Sequence, residues 1–255
     1  MLKWYSTYKC TVYDNVYYGL GSLSPRYADS VFIFGSLEDG VFMPTGTCFA
    51  VSDEYLLTAQ HNMDKRKLVG YGIAVSVSKT NDVQEAPEDF HRVKIKYYNV
   101  QSDWAIIELL DPPFTERTVP IPITTVDVEM DTDFKVFHMP ISEYMFQETD
   151  SISAHTDWLK AGRPKKHHVE GNKGLFRGSS GAPFVLRNGY AFAMHLESRN
   201  EAISVPEGKR DDAEVISNTI HSNAQVHASR CSGLYLKTCS ELLSRLLELG
   251  VRIIN

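Results

Sequence analysis

Apolar positions in this 255-residue chain fall in short runs separated by turn residues. Val31-Phe32-Ile33-Phe34 is closed by Gly35-Ser36. Thr47-Cys48-Phe49-Ala50-Val51 follows a Pro44-Thr45-Gly46 turn, and Tyr55-Leu56-Leu57-Thr58 follows Ser52-Asp53-Glu54. Further runs cover Gly72 to Val77, Val93 to Tyr98 and Ala105 to Leu109. Each is brief and rich in β-branched or aromatic residues, and each ends in turn chemistry, which is the signature of strands. Asp111-Pro112-Pro113 ends this first group, because tandem prolines block both helix and ladder, and a linker is expected near 111–130.

A second group starts at Phe134-Lys135-Val136-Phe137 and continues through Ser151 to His155, Ala182 to Leu186 and Tyr190 to His195. Many strands without repeated helices between them predict an all-β barrel or sandwich. Residues 199–230 are polar and charged, as in Glu207-Gly208-Lys209-Arg210-Asp211-Asp212, and read as a long exposed loop. The end is helical: Thr238 and Glu241 make a capping-box pattern, Leu242, Leu243, Leu246, Leu247 and Leu249 recur at helical spacing, and Gly250 stops the run.

Composition narrows the function classes. Hydrophobic residues are 43% and charged residues 23%, values of an ordinary globular chain long enough for a sizeable core. A net charge of -6 and a pI near 5.8 give no global positive field for nucleic acid or anionic membrane, so neither is expected as a partner. No apolar run follows Met1-Leu2-Lys3, so a secretory signal is not expected, and no stretch approaches a membrane span. Cys10, Cys48, Cys231 and Cys239 match no metal motif and read as free, partly buried thiols in a reducing compartment. No metal or cofactor is expected. His167-His168 are strand neighbours pointing to opposite sides, which argues against a shared metal, and His138 and His155 read as structural.

Three local patterns carry chemistry. Thr58-Ala59-Gln60-His61-Asn62 runs a strand into a histidine. Ser102-Asp103-Trp104-Ala105-Ile106-Ile107 opens an apolar strand with an aspartate. Gly178-Ser179-Ser180-Gly181-Ala182-Pro183 places a serine in a glycine turn. A serine hydroxyl needs a base in hydrogen-bond reach, and imidazole has a suitable pKa. The imidazole needs a carboxylate to fix its tautomer and stabilise its cation, and a developing oxyanion needs main-chain N–H donors. Each pattern alone is weak; the three in the order His, Asp, Ser are specific.

These segments resemble the trypsin-like peptidases of the chymotrypsin fold, over roughly residues 30–200. The matching features are Thr-Ala-x-His at 58–61, Asp-x-Ala-Ile-Ile at 103–107, Gly-x-Ser-Gly-x-Pro at 178–183, and Gly46-Thr47-Cys48-Phe49-Ala50-Val51 as the strand before the histidine. The resemblance implies two antiparallel six-stranded β-barrels followed by the C-terminal helix. It divides the chain into an N-terminal extension 1–30, a first barrel 31–118, a second barrel 119–236 with the long loop, and a helix and tail 237–255. It implies a serine endopeptidase acting on a polypeptide, with His61, Asp103 and Ser180 as triad and the N–H groups of Gly178 and Ser180 as oxyanion hole.

Two departures matter. Secreted members carry a cysteine after the catalytic histidine, paired to the preceding strand; here Asn62 stands there, which supports an intracellular protein. Secreted zymogens carry an aspartate just before the nucleophile to receive a newly cut N-terminus; here it is Ser179, which disfavours that activation.

The specificity pocket in this family would be built from Gly174, Leu175, His195, Leu196 and Glu197. Gly174 supplies no carboxylate at the position that would select Lys or Arg. Ala193-Met194-His195-Leu196 is similar to the pocket strand of glutamyl endopeptidases and picornaviral processing proteases, where a histidine hydrogen-bonds Glu or Gln. Leu175 and Phe176 point instead to an apolar pocket, and a core role for His195 stays open. A catalytically silent protease-fold binding module is the rival reading. An α/β-hydrolase is disfavoured, because its triad runs Ser, Asp, His and its strands alternate with helices.

Overall fold

The computed structural model describes residues 30–38, 41–63, 71–74, 90–110, 118–138, 155–175, 178–200 and 229–255. The strands β1 (Val31–Glu38), β2 (Val41–Ala50), β3 (Tyr55–Thr58), β4 (Tyr71–Ala74), β5 (Phe90–Asn99) and β6 (Trp104–Leu109) close into a six-stranded antiparallel barrel, in the order β1-β2-β3-β6-β5-β4. Both faces of β1, the second half of β2, β3 and the first part of β6 are buried, whereas β5 is largely exposed. Phe32, Phe34, Cys48, Ala50, Leu56, Ala105 and Ile107 fill the barrel. Their alternates Val31, Ile33, Phe49, Leu57, Trp104 and Ile106 face outward into a second core shared with Ile121, Ile123, Met194, Leu234, Leu242 and Leu246. Two-sided burial is why these strands read as continuous apolar runs and not as strict alternation.

The second half holds β7 (Ile123–Thr124), β8 (Asp133–His138), β9 (His155–Lys160), β10 (His168–Gly171), β11 (Pro183–Leu186), β12 (Ala191–Asn200), β13 (Ser229–Tyr235) and β14 (Ile253–Ile254). Its main path runs β10-β13-β12-β11-β8-β9, with β7 and β14 attached in parallel beside β12. The two ends of the path meet through a bridge between Ala161 and Gly171, which curls the sheet on itself. Phe134 stacks on Phe184 at 4.7 Å and meets Phe192 edge-on at 5.4 Å inside this second unit.

The helix α1 (Ser240–Glu248) buries Leu242 and Leu246 in the shared core, worth about 1.5–3 kcal/mol each in apolar area removed from water. Glu241 accepts a hydrogen bond from Asn99 Nδ2 at 2.7 Å, and the Arg245 guanidinium lies over the Tyr97 ring, so the helix is tied to β5 of the first barrel. No helix among the described residues is long and apolar enough to cross a membrane.

Several sequence expectations need correction. The capping box does not form: Thr238 ends a 3-10 turn and gives its hydroxyl to the Tyr235 carbonyl, and Cys239 is the N-cap without a side-chain bond. The loop expected at 199–230 is shorter, because Arg199 and Asn200 pair with Arg230 and Ser229 and lengthen the β12–β13 ladder. Of the strand expected at Ser151 to His155, His155 is described and opens β9, and the other four residues lie outside the described ones. β10 and β13 were not foreseen, since their Ser, Arg, Glu and Gly residues break the apolar pattern. Residues 1–29, 151–154, 176–177 and 201–228 lie outside the described residues, and with them Cys10, Phe176, Arg177 and most of the expected extension and loop.

Candidate active site

After β3, Ala59 leads into a short 3-10 turn, Gln60–Asn62, whose flanking positions are buried while His61 projects outward. Asp103 sits at the start of β6, which pairs with β3, so the two residues meet at one end of the barrel. Its backbone is left-handed, with φ 54°, an uncommon conformation that aspartate tolerates better than most residues. Both carboxylate oxygens engage His61. Oδ1 accepts the main-chain N–H at 2.8 Å, and Oδ2 lies 2.6 Å from Nδ1. Burial alone would raise the Asp103 carboxyl. The ring N–H and charge of His61, with the main-chain N–H groups of His61 and Gln60, outweigh it and hold the carboxyl below its usual value. With Nδ1–H given to Asp103, the lone pair of His61 falls on Nε2, the tautomer a general base requires.

Ser180 lies in the turn between the described segment starting at Gly178 and β11. Gly178 and Gly181 take positive φ values of 89° and 91°. Gly181 has no substitute: a Cβ there would stand 2.0 Å from the Thr47 carbonyl oxygen, on top of its left-handed backbone. The Ser180 hydroxyl donates to the Leu196 carbonyl at 2.9 Å and not to His61. Among the described residues, the N–H groups of Gly178 and Ser180 are given to no acceptor, whereas Gly181 N–H goes to His195 O at 2.8 Å.

The turn is fastened to the first barrel. The Ser180 carbonyl accepts two hydrogen bonds at 2.8 Å, from Thr47 N–H and from Asn62 Nδ2. Asn62 also donates to Thr58 Oγ1 at 3.0 Å; Thr58 in turn donates to the Thr47 carbonyl, and Thr47 Oγ1 donates to the Gly178 carbonyl, both at 2.7 Å. Asn62 stands against Gly46, where a Cβ would fall 2.3 Å from its amide nitrogen. The residue that replaces the expected cysteine is therefore a buried hydrogen-bonding clamp on the Ser180 turn, and Cys48 is a free buried thiol. The identity of Asn62 was visible in the sequence; its partners were not, because they come from three other segments.

A cleft of about 480 Å³ is lined by His61, Asp103, His168, Leu196, Glu197 and Ser232. Leu196 and Glu197 were expected in its wall; His168 and Ser232 were not. Gly174, Leu175 and His195 are buried behind it. Leu175 N–H donates to Ser198 Oγ, which donates back to Leu175 O. His195 is 2% exposed and stacks on Phe184. Burial, helped by the charges of His138 and His61 and opposed by a hydrogen bond to the Ser232 main chain, lowers its pKa to about 3, so the ring is neutral. Its Nδ1 is buried without a hydrogen-bond partner among the described residues. Of the histidines taken as structural, His138 does have partners: Nδ1 lies 2.6 Å from Ser179 Oγ and Nε2 3.1 Å from Asp157 Oδ2. Among the described residues no cluster of His, Cys, Asp and Glu has the geometry of a metal site.

Solved structures share this architecture across nearly the whole chain. The Rv3671c protease of M. tuberculosis H37Rv, in an inactive serine-to-alanine mutant form, aligns with a TM-score of 0.54 at 14% identity over 89% of this chain and 90% of its own. The human heparin binding protein aligns with a TM-score of 0.56 at 12% identity over 89% and 94%. The chain has a chymotrypsin-like fold. No family model and no curated protein matches it by sequence. At these identities the likeness speaks for the fold, and the chemistry has to be argued from the site. In this chymotrypsin-like frame the first barrel carries His61 and Asp103, both at the wall of the cleft, and the second sheet carries Ser180.

Proposed function

We propose that this protein is a serine endopeptidase acting through an acyl-enzyme on Ser180. The observation that carries the reading is the two-point bond between His61 and Asp103, which fixes the imidazole with its basic nitrogen free at the wall of an open cleft. Chemistry starts when the Ser180 hydroxyl turns from the Leu196 carbonyl to His61 Nε2 and gives up its proton as Oγ attacks the substrate carbonyl. The N–H groups of Gly178 and Ser180 then receive the oxyanion, and His61 returns the proton to the leaving amine. Water repeats the sequence to free the acyl group. The test is labelling by a fluorophosphonate probe: wild type should label and Ser180→Ala should not, whereas an inert wild type sinks the proposal.

One observation favours a second reading, a silent binding module on the same fold: the Ser180 hydroxyl is bonded to Leu196. The same probe separates the two.

For the residue before the scissile bond we propose Glu or Gln. His195 precedes Leu196 of the cleft wall, its ring is neutral, and its Nδ1 has no hydrogen-bond partner among the described residues, which leaves the imidazole hydrogen-bonding capacity for a polar side chain. His195→Ala should then slow glutamine peptides by about 1–3 kcal/mol, the cost of losing a buried hydrogen-bond partner, and spare leucine peptides. The runner-up is an apolar pocket, supported by Leu175 and Leu196. A peptide-library profile led by leucine would select it.

A further inference from the structure

We infer that Ser179, His138 and Asp157 form a relay that positions the nucleophile turn from inside the second sheet. The inference rests on the endopeptidase reading of Ser180. His138 ends β8 and is fully buried, as is Ser179. Asp157 lies on the neighbouring β9, opposite Val136, with its side chain 35% exposed. A carboxylate only accepts hydrogen bonds, so the 3.1 Å contact puts a proton on His138 Nε2. Nδ1 lies 2.6 Å from Ser179 Oγ, so the ring joins the serine hydroxyl to the carboxylate.

These are the residue types of a triad put to a different end. Ser179 is inaccessible, so no substrate reaches it. Its carbonyl accepts the Ala182 N–H at 2.9 Å, which closes the turn around Ser180. Residue 179 is thus tied to β8 and β9, while residue 180 is tied through its carbonyl to Thr47 and Asn62 of the first barrel. The turn is held on both sides of the nucleophile, and a turn so held requires no ammonium group at residue 179. Ser179, His138 and Asp157 are positioning residues: none touches substrate, and each acts through where it puts the Gly178 and Ser180 N–H groups.

The test is a set of single variants read by kinetics and by amide exchange. Ser179→Ala should lower kcat about 10- to 100-fold, the scale of a small misplacement of reacting groups, with KM nearly unchanged. Ser179→Thr, which keeps the hydroxyl, should recover most of it. Asp157→Asn, at the exposed end where folding is less at risk, should give a smaller loss of the same kind. In Ser179→Ala the amides of residues 178–181 should exchange at least about tenfold faster, with β12 unchanged. Wild-type kcat in both Ser179→Ala and Asp157→Asn, with unaltered exchange, would overturn the relay. If the wild type neither hydrolyses nor labels, the endopeptidase reading falls, and the exchange measurement alone decides the relay: faster exchange supports it and unchanged exchange overturns it.

Discussion

The two β units contribute to the cleft in different ways. The first barrel is closed, and its histidine and aspartate already hold each other through two hydrogen bonds. The second sheet meets at its ends through the bridge between Ala161 and Gly171 and the main-chain hydrogen bonds beside it, and its serine is bonded to its own main chain at Leu196. The His61–Asp103 pair is therefore complete within one unit, whereas the Ser180 turn depends on both. It is held from outside by Thr47 and Asn62 and from inside by His138. A closed barrel fixes neighbouring strand ends by its own ladder, so a short turn suffices to present His61. The turn at Ser180 is joined to a ladder only on its far side, where Gly181 and Ala182 bond to His195, and side-chain bonds supply the rest of the restraint.

The largest expected effects break the catalytic half of that comparison. Ser180→Ala should lower hydrolysis by roughly 10³-fold or more with little change in melting temperature, and Asp103→Asn should cost about as much by releasing the His61 tautomer. Retained turnover in a clean Ser180→Ala preparation would refute the assignment. The depressed Asp103 carboxyl sets the direction of an acid effect. Its stabilising contribution is complete above the ordinary carboxylate value near 3.9 and is lost as pH falls through the lower folded value. Asp103→Asn should remove that part of the acid transition.

The join between the units comes next. Gly46→Ala puts a methyl group against the Asn62 amide, which cannot withdraw without losing Thr58 and Ser180. Overpacking of this kind costs about 1–3 kcal/mol. Asn62→Ala alone removes a donor from the Ser180 carbonyl, at about 1 kcal/mol or somewhat more. The double variant should be more stable than the sum of the singles, since the clash disappears with the side chain. Additive urea-unfolding energies would show that Gly46 and Asn62 are not in contact.

A smaller effect sharpens the view of the second sheet as a neutral, dry interior. The folded pKa of His195, about 3, lies below the ordinary value near 6.5. Between those limits the unfolded chain binds the extra proton, so stability falls as pH falls, with a slope of about 1.4 kcal/mol per pH unit from this one group. His195→Gln, which does not titrate, should flatten the dependence by that amount. An unchanged slope would mean that His195 is solvated or paired in the folded protein.

How far the sequence reveals this molecule depends on where the information sits. Strands buried on both faces are legible as apolar runs: β3 falls on Tyr55–Thr58 as the pattern predicts, and the other strands of the first barrel lie on or around theirs. β9, β10 and β13 carry Asp157, Glu170, Ser232 and Gly233 within the ladder, so their pattern resembles loops. His61, Asp103 and Ser180 stand out in the sequence because each sits in a local motif, and the fold brings the first two into hydrogen-bond contact. Asn62, His138 and Asp157 do not, because an amide or imidazole acquires its role from a residue brought near only by the fold: Gly46 and Ser180 for Asn62, Ser179 for His138. Thr238 shows the reverse error, a local motif whose hydroxyl has a better acceptor one turn back.

The smallest expected effect is none at all, and it tests how the join is made. Cys48, Cys231 and Cys239 are free and buried. Burial pushes the Cys48 thiol well above its usual value and the Cys231 thiol up to about 12, and it raises Cys239 as well. A thiol so protonated and enclosed is a poor nucleophile and a poor partner for exchange. Where the resembled secreted enzymes rivet the strand before the histidine with a disulfide, this chain uses the Asn62 amide, which a reductant cannot touch. Millimolar reductant should therefore leave the melting temperature and the labelling of Ser180 unchanged, and thiol reagents should modify these three positions only on unfolding. A fall of several degrees on reduction would mean that a covalent bond carries part of the load assigned here to Asn62, and the Gly46→Ala prediction would fall with it.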